Sequence, residues 1–183
     1  MRNHALVITV AITTAILLAG IDIGTKWIVA TVVMDPPRRI PVLPFFDMVL
    51  VYNRGVSFGL LGELGAFGPL ILSGLALAII GFLGIWLWRA KHRGEVFSIA
   101  SIIGGASGNV VDRLQDGAVT DFIDLYAGSY HWPAFNFADV FIVFGVLCLL
   151  AFSLRDQNGS NRKVSEKSTA DSGIIKESTG TKQ

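Results

Sequence analysis

Residues Ala66–Trp88 read AFGPLILSGLALAIIGFLGIWLW, 23 positions without a charged side chain. A helix rises ~1.5 Å per residue, so a run of this length crosses the roughly 30 Å hydrocarbon core of a bilayer. It has no polar face, so water suits it on no side. This stretch sets the class as a helical membrane protein, and the rest of the chain is read outward from it.

Upstream, Ala5–Ile21 is uncharged, and its helix is expected to continue to about Lys26. Downstream, Val96–Val111 is uncharged and runs on past Asp112. Val140–Leu154 is uncharged too, with a helix start expected near Asn136. The expected fold is an all-α membrane protein with four transmembrane helices, at about 5–26, 66–88, 96–114 and 136–154. Composition agrees, since only 16% of the 183 residues are charged, against about 25% in soluble domains.

Lys and Arg counts orient the spans. One side receives Arg2, Arg89, Lys91, Arg93, Arg155 and five basic residues of the tail; the other receives Lys26, Arg38, Arg39, Arg54 and Arg113. Ten against five places both termini in the cytoplasm. Leu17-Leu18-Ala19-Gly20 begins like a lipobox, but Ile21 stands where a lipidated cysteine would be, so the first span is expected to stay as an anchor. Residues 1–155 form the membrane-embedded unit, and 156–183, rich in Ser, Thr, Lys and Glu, a disordered cytoplasmic tail. On the outer side, Pro36, Pro37, Pro41 and Pro44 exclude a long helix. Val49–Tyr52 and Ala118–Ile123 have the composition of strands.

Net charge is +1, which gives no reason to expect nucleic acid as a partner. Cys148 is the single cysteine, and His4, His92 and His131 are scattered, so neither a metal nor another cofactor is expected.

The threading gathers polar residues at one depth. Asp22 and Lys26 end the first span, Asn109, Asp112 and Arg113 end the third, and Asp139 opens the fourth. Asn53, Asp121 and Asn136 come from the external segments that join these ends. Ionisable residues in spans are costly and point to function. Asp22 and Lys26, four apart, share a helix face and read first as a structural pair. Gly105, Gly108, Asn109, Asp112 and Arg113 form a stripe at three- and four-residue steps, a packing surface or a substrate groove. Asp35, Asp47 and Glu63 read as solvated loop charges, and His131 and Trp132 as interfacial anchors.

No serine–histidine or cysteine–histidine arrangement falls at this boundary, so two carboxylates, Asp121 and Asp139, are the best reactive groups. A pair sharing one proton activates water and protonates a leaving amine. The dipole of the last helix favours charge on Asp139, which leaves the proton mainly on Asp121. A transporter also uses intramembrane acids, but it tends to hold them near the midplane between repeats, and no repeat is evident here. A purely structural protein would need no paired aspartates.

These residues resemble the lipoprotein signal peptidase (signal peptidase II) family. Asp22-Ile23-Gly24-Thr25-Lys26 is similar to its D-x-x-x-K block, and Asn53-Arg54-Gly55-Val56-Ser57-Phe58 to N-x-G-x-[AS]-F. Gly104–Arg113 is similar to G-G-x-x-G-N-x-x-D-R, Val119–Phe122 to V-x-D-F and Phe135–Asp139 to F-N-x-A-D. The resemblance covers roughly Leu6 to Leu154. It implies an aspartyl endopeptidase of the bacterial cytoplasmic membrane. Such an enzyme cuts lipid-modified prolipoproteins just before the diacylglyceryl cysteine, near the outer face, and is inhibited by globomycin-type compounds. It implies Asp121 and Asp139 as catalytic residues, with Asp22, Lys26, Asn53, Gly105, Asn109, Arg113 and Asn136 around the substrate. It implies four helices with a small external β-cradle and a short external helix, and no cofactor.

Overall fold

The computed structural model describes residues 4–55, 67–90 and 92–155. Helix α1 covers His4–Ile28 and runs without a break into a π-helical turn, Val29–Val33. The turn closes with the Met34 amide donating to the Val29 carbonyl at 2.8 Å. Strands β1 (Ile40–Leu43) and β2 (Phe46–Asn53) follow, then α2 (Phe67–Arg89) and α3 (Arg93–Asp116). Strands β3 (Val119–Ala127) and β4 (Tyr130–His131) precede α4 (Phe137–Arg155). The four strands form one antiparallel sheet in chain order. Both expected strands are present, and each is longer than its apolar kernel. A short external helix is not among the described elements. The tail, Glu63 and the Val56-Ser57-Phe58 end of the block that begins at Asn53 lie outside the described residues.

Among the described residues, three helices are long and apolar enough to cross a membrane: α1 with its π turn, α2 and α4. They expose large apolar side chains such as Leu17, Phe82 and Leu147 over their flanks. Helix α3 differs for a physical reason. It packs against all three others, and 13 of its 24 residues are buried, against 3 of 25 in α1. A helix with neighbours on every side gains from close approach rather than from bulk. A Cβ at Gly104 would sit 2.8 Å from the Ala15 carbonyl oxygen of α1, and one at Gly105 would clash with the Ala138 carbonyl oxygen of α4. On α4, Gly145 faces the Ser98 carbonyl oxygen in the same way, at 2.7 Å. Helix α3 ends at Gly117, whose φ of 69° is the left-handed conformation that glycine adopts at little cost, its amide returning to the Arg113 carbonyl.

One irregularity shapes the sheet. Asp47 pairs with Asp124 and Met48 with Ile123, but Val51 pairs with Asp121, so β2 carries one residue more than β3 over this stretch. Beyond this bulge, Asn53 lies opposite Val119 and on the same face as Asp121.

Candidate active site

The site is assembled from four elements. Asp121 lies in β3, 2% exposed. Its Oδ2 accepts from Asn53 Nδ2 at 3.1 Å, a diagonal contact across the β2–β3 ladder. The Gly55 amide donates to Asn53 Oδ1 at 2.9 Å, which leaves the Asn53 amide nitrogen to face Asp121. Asp121 Oδ1 accepts from Asn136 Nδ2 at 2.6 Å.

Asn136 is the N-cap of α4. Its Oδ1 accepts from the Asp139 amide at 3.1 Å, and Asp139 Oδ2 accepts from the Asn136 amide at 3.1 Å. This is the reciprocal capping box in which cap and third residue each satisfy the other's backbone. Asp139 Oδ1 accepts from Asn109 Nδ2 at 3.0 Å. The two aspartates thus share one anchor: Asn136 donates its side chain to one and its backbone to the other.

Behind them lies a second layer. Lys26 Nζ contacts Asp22 Oδ2 at 2.7 Å and Asp112 Oδ2 at 3.0 Å, and donates to Asn109 Oδ1 at 2.8 Å. Asp22, fully buried, also accepts from the Ala138 amide at 2.8 Å, which ties α1 to the start of α4. Asp112 Oδ2 accepts from the Thr120 amide at 3.1 Å, which ties α3 to the strand bearing Asp121. A Cβ at Gly108 would collide with Asp22 Oδ2, so only glycine leaves room for that carboxylate.

Burial holds the Asp121 carboxyl up at about 6, and repulsion from Asp139 adds to this against the lowering by its Asn53 and Asn136 hydrogen bonds. It therefore holds its proton to a higher pH than an exposed aspartate does. Arg113 faces both acids with donors to spare. Its Nη1 donates to the Asn109 carbonyl at 3.3 Å, while its buried Nε has no partner among the described residues. Beside Asp121 a cavity of about 430 Å³ opens between Val51–Arg54 and Pro133–Ala134.

All nine residues singled out from the sequence lie in or against this network. Five of them (Asn53, Asn109, Asp121, Asn136 and Asp139) are joined by hydrogen bonds around the two acids, and Arg113 is bonded to the Asn109 carbonyl beside them. Asp22 and Lys26 form the layer behind, and Gly105 serves the contact between α3 and α4.

One expectation is corrected. Asp47 is not solvated: it is 3% exposed and ion-paired with Arg39, which also reaches Asp124 at 3.3 Å. His131 contacts Asp124 through Nδ1 at 2.9 Å and stacks on Tyr126, so it is tied to the sheet. Asp47 and Asp124 are direct cross-strand partners, and opposed like charges need a cation between them. The signal was the pair of acids on facing strands, but only the register reveals that they meet.

The model of the signal peptidase (SPase) II family matches residues 14–155. A lipoprotein signal peptidase of Vibrio campbellii is 39% identical over 153 residues, covering 80% of this chain and 89% of its own. One of Methylobacterium radiotolerans is 41% identical over 158 residues, covering 86% and 88%. Two solved structures described as bacterial membrane enzymes superpose with TM-scores of 0.71 and 0.69, each at 28% identity. They cover 83% and 81% of this chain, and 92% and 95% of theirs.

Proposed function

Because the chain belongs to the signal peptidase II family, we propose that it is an aspartyl endopeptidase of the bacterial cytoplasmic membrane. It removes signal peptides from prolipoproteins on the N-terminal side of the diacylglyceryl-modified cysteine. All four helices span the bilayer in this reading, α3 shielded from lipid by the other three. Both termini are cytoplasmic, and the sheet lies at the outer face. A signal helix then presents its cleavage point at the depth of the aspartates while the acyl chains stay in lipid.

The observation that carries the reading is the single asparagine holding both carboxylates, Asn136 to Asp121 at 2.6 Å and to Asp139 at 3.1 Å. Asp139 opens α4, where the helix dipole favours its charge, and it acts as the base. Asp121 carries the proton, as its raised titration supports. Water bound between them gives a proton to Asp139 as its oxygen attacks the scissile carbonyl carbon, and Asp121 protonates the carbonyl oxygen. The tetrahedral diol then collapses: the C–N bond breaks, the amine leaves with the proton held by Asp139, and Asp121 recovers its own. Arg113, Asn53 and Asn136 hydrogen-bond the substrate backbone or the ester carbonyls. Arg113 suits this best, since a carbonyl would satisfy its buried, unpaired Nε.

The test is incubation of purified protein with a diacylglyceryl-modified prolipoprotein peptide, followed by mass measurement. A product beginning at the modified cysteine is expected, as is inhibition by globomycin-type compounds. Asp121→Asn and Asp139→Asn should each lower turnover by about a thousandfold or more. Near-normal turnover by either variant would remove the two-aspartate mechanism.

A further inference from the structure

We propose that Lys26 is a positioning residue that fixes the direction of the Asn109 amide and, through it, the Asp139 carboxylate; this rests on the peptidase reading above. An ammonium has three protons and accepts nothing. Those of Lys26 have three acceptors at hand: Asp22 Oδ2 at 2.7 Å, Asn109 Oδ1 at 2.8 Å and Asp112 Oδ2 at 3.0 Å. The side chain is 3% exposed, and its ammonium lies between two carboxylates and the Asn109 oxygen.

The consequence falls on Asn109. Its oxygen is claimed by the ammonium at 2.8 Å and by Asn136 Nδ2 at 3.3 Å. Its nitrogen must therefore face Asp139 Oδ1, and does so at 3.0 Å. The flipped amide would set NH2 against an ammonium and a carbonyl oxygen against a carboxylate, repulsive at both ends. Without the cation, the flip is opposed only by the longer Asn136 contact and by Asp139 itself, so the amide is held less firmly. In the flipped state Asp139 would keep its Oδ2 bond to the Asn136 amide and lose the donor on Oδ1. The groups that bear on the network are Asp22 from α1, Asp112 and Arg113 from α3, Asp121 from β3 and Asp139 itself.

Removing Lys26 alone leaves two buried acids unmatched, so the informative variant is Lys26→Met with Asp112→Asn. It keeps the net charge of the Asp22–Lys26–Asp112 triad at −1, and the carboxamide oxygen that replaces the Asp112 carboxylate still accepts from the Thr120 amide. Measured on the lipopeptide, kcat should fall about 10- to 100-fold with KM within twofold, the loss expected for one charge-assisted hydrogen bond to a reacting group. Asp112→Asn alone, with the Lys26–Asn109 bond intact, should stay within about threefold of the parent enzyme. Asn109→Ala should cost as much as the double variant, and combining all three changes should cost no more, because they interrupt one chain.

Losses that multiply, a raised KM with unchanged kcat, or normal turnover by the double variant would each overturn the assignment. Asn109→Asp provides an arm that does not depend on the Lys26 variants folding. It accepts from Lys26 but cannot donate to Asp139, so normal turnover by this enzyme also overturns the relay. Asp121→Asn and Asp139→Asn in the same assay separate the levels. If they cleave normally, the peptidase mechanism fails; if they are inactive while the Lys26 variants are normal, only the relay fails.

Discussion

At the scale of single residues, Asp121 links stability to activity. Its folded carboxyl titrates near 6, against about 3.9 in an unfolded chain. The folded state therefore binds more protons between those values. The contribution of this group to stability is full below about pH 4 and is lost as pH rises through 6. Asp121→Asn mimics the protonated form. It should add roughly 1–3 kcal/mol of stability at pH 7–8, read as a higher thermal midpoint, while abolishing cleavage, and the gain should shrink toward pH 4. A midpoint lower than the parent's at pH 8 would contradict this. Arg113→Ala should lower kcat/KM at least tenfold and leave the amount of folded protein in the membrane unchanged. Quantifying membrane-inserted protein beside cleavage separates these two effects. The polar residues were legible one by one because charge in a membrane span is conspicuous. Their hydrogen-bond directions were not. That Lys26 sits among three acceptors contributed by two helices emerges only from the packing.

At the scale of elements, the glycines of α3 divide by what faces them. Gly105→Ala drives a methyl group against the Ala138 backbone, and Gly108→Ala drives one against the Asp22 carboxylate. Each should destabilise by about 1–3 kcal/mol, the usual cost of overpacking. Gly84→Ala on α2, with nothing within 4 Å, should be neutral or slightly stabilising. Thermal midpoints of the three detergent-purified variants check the contrast, and equal midpoints would mean that α3 has slack. The three apolar helices were legible from length and composition. The depth to which α3 is enclosed was visible only as its run of small residues, which fits a groove as well as a packed seam. The strands were recognisable from their apolar kernels, but their ends were not. Polar residues such as Asn53 and Asp124 extend them once a partner strand supplies the ladder.

At the scale of the whole molecule, the proposed orientation predicts two populations of engineered cysteines. With Cys148 replaced, cysteines at Arg89 and Arg155 should react with an impermeant reagent only after cells are opened. Cysteines at Arg38 and Tyr130 should react on intact spheroplasts. Labelling of all four from one side would reject the threading. Residues far apart in sequence do meet around the two acids, as that threading expects, and their meeting was legible because it needs only the order of the spans. Which face of the sheet each acid takes was not legible. Asp47 and Asn53 are six positions apart, an even number, so a regular strand would present both to the same side. The single surplus residue between Met48 and Val51 reverses that parity. One short strand can therefore brace the Arg39 ion pairs behind the sheet and reach the reactive acid in front of it. Removing Val49 would restore the regular alternation, so that whichever end of the strand kept its place, the other would turn its side chain to the wrong side.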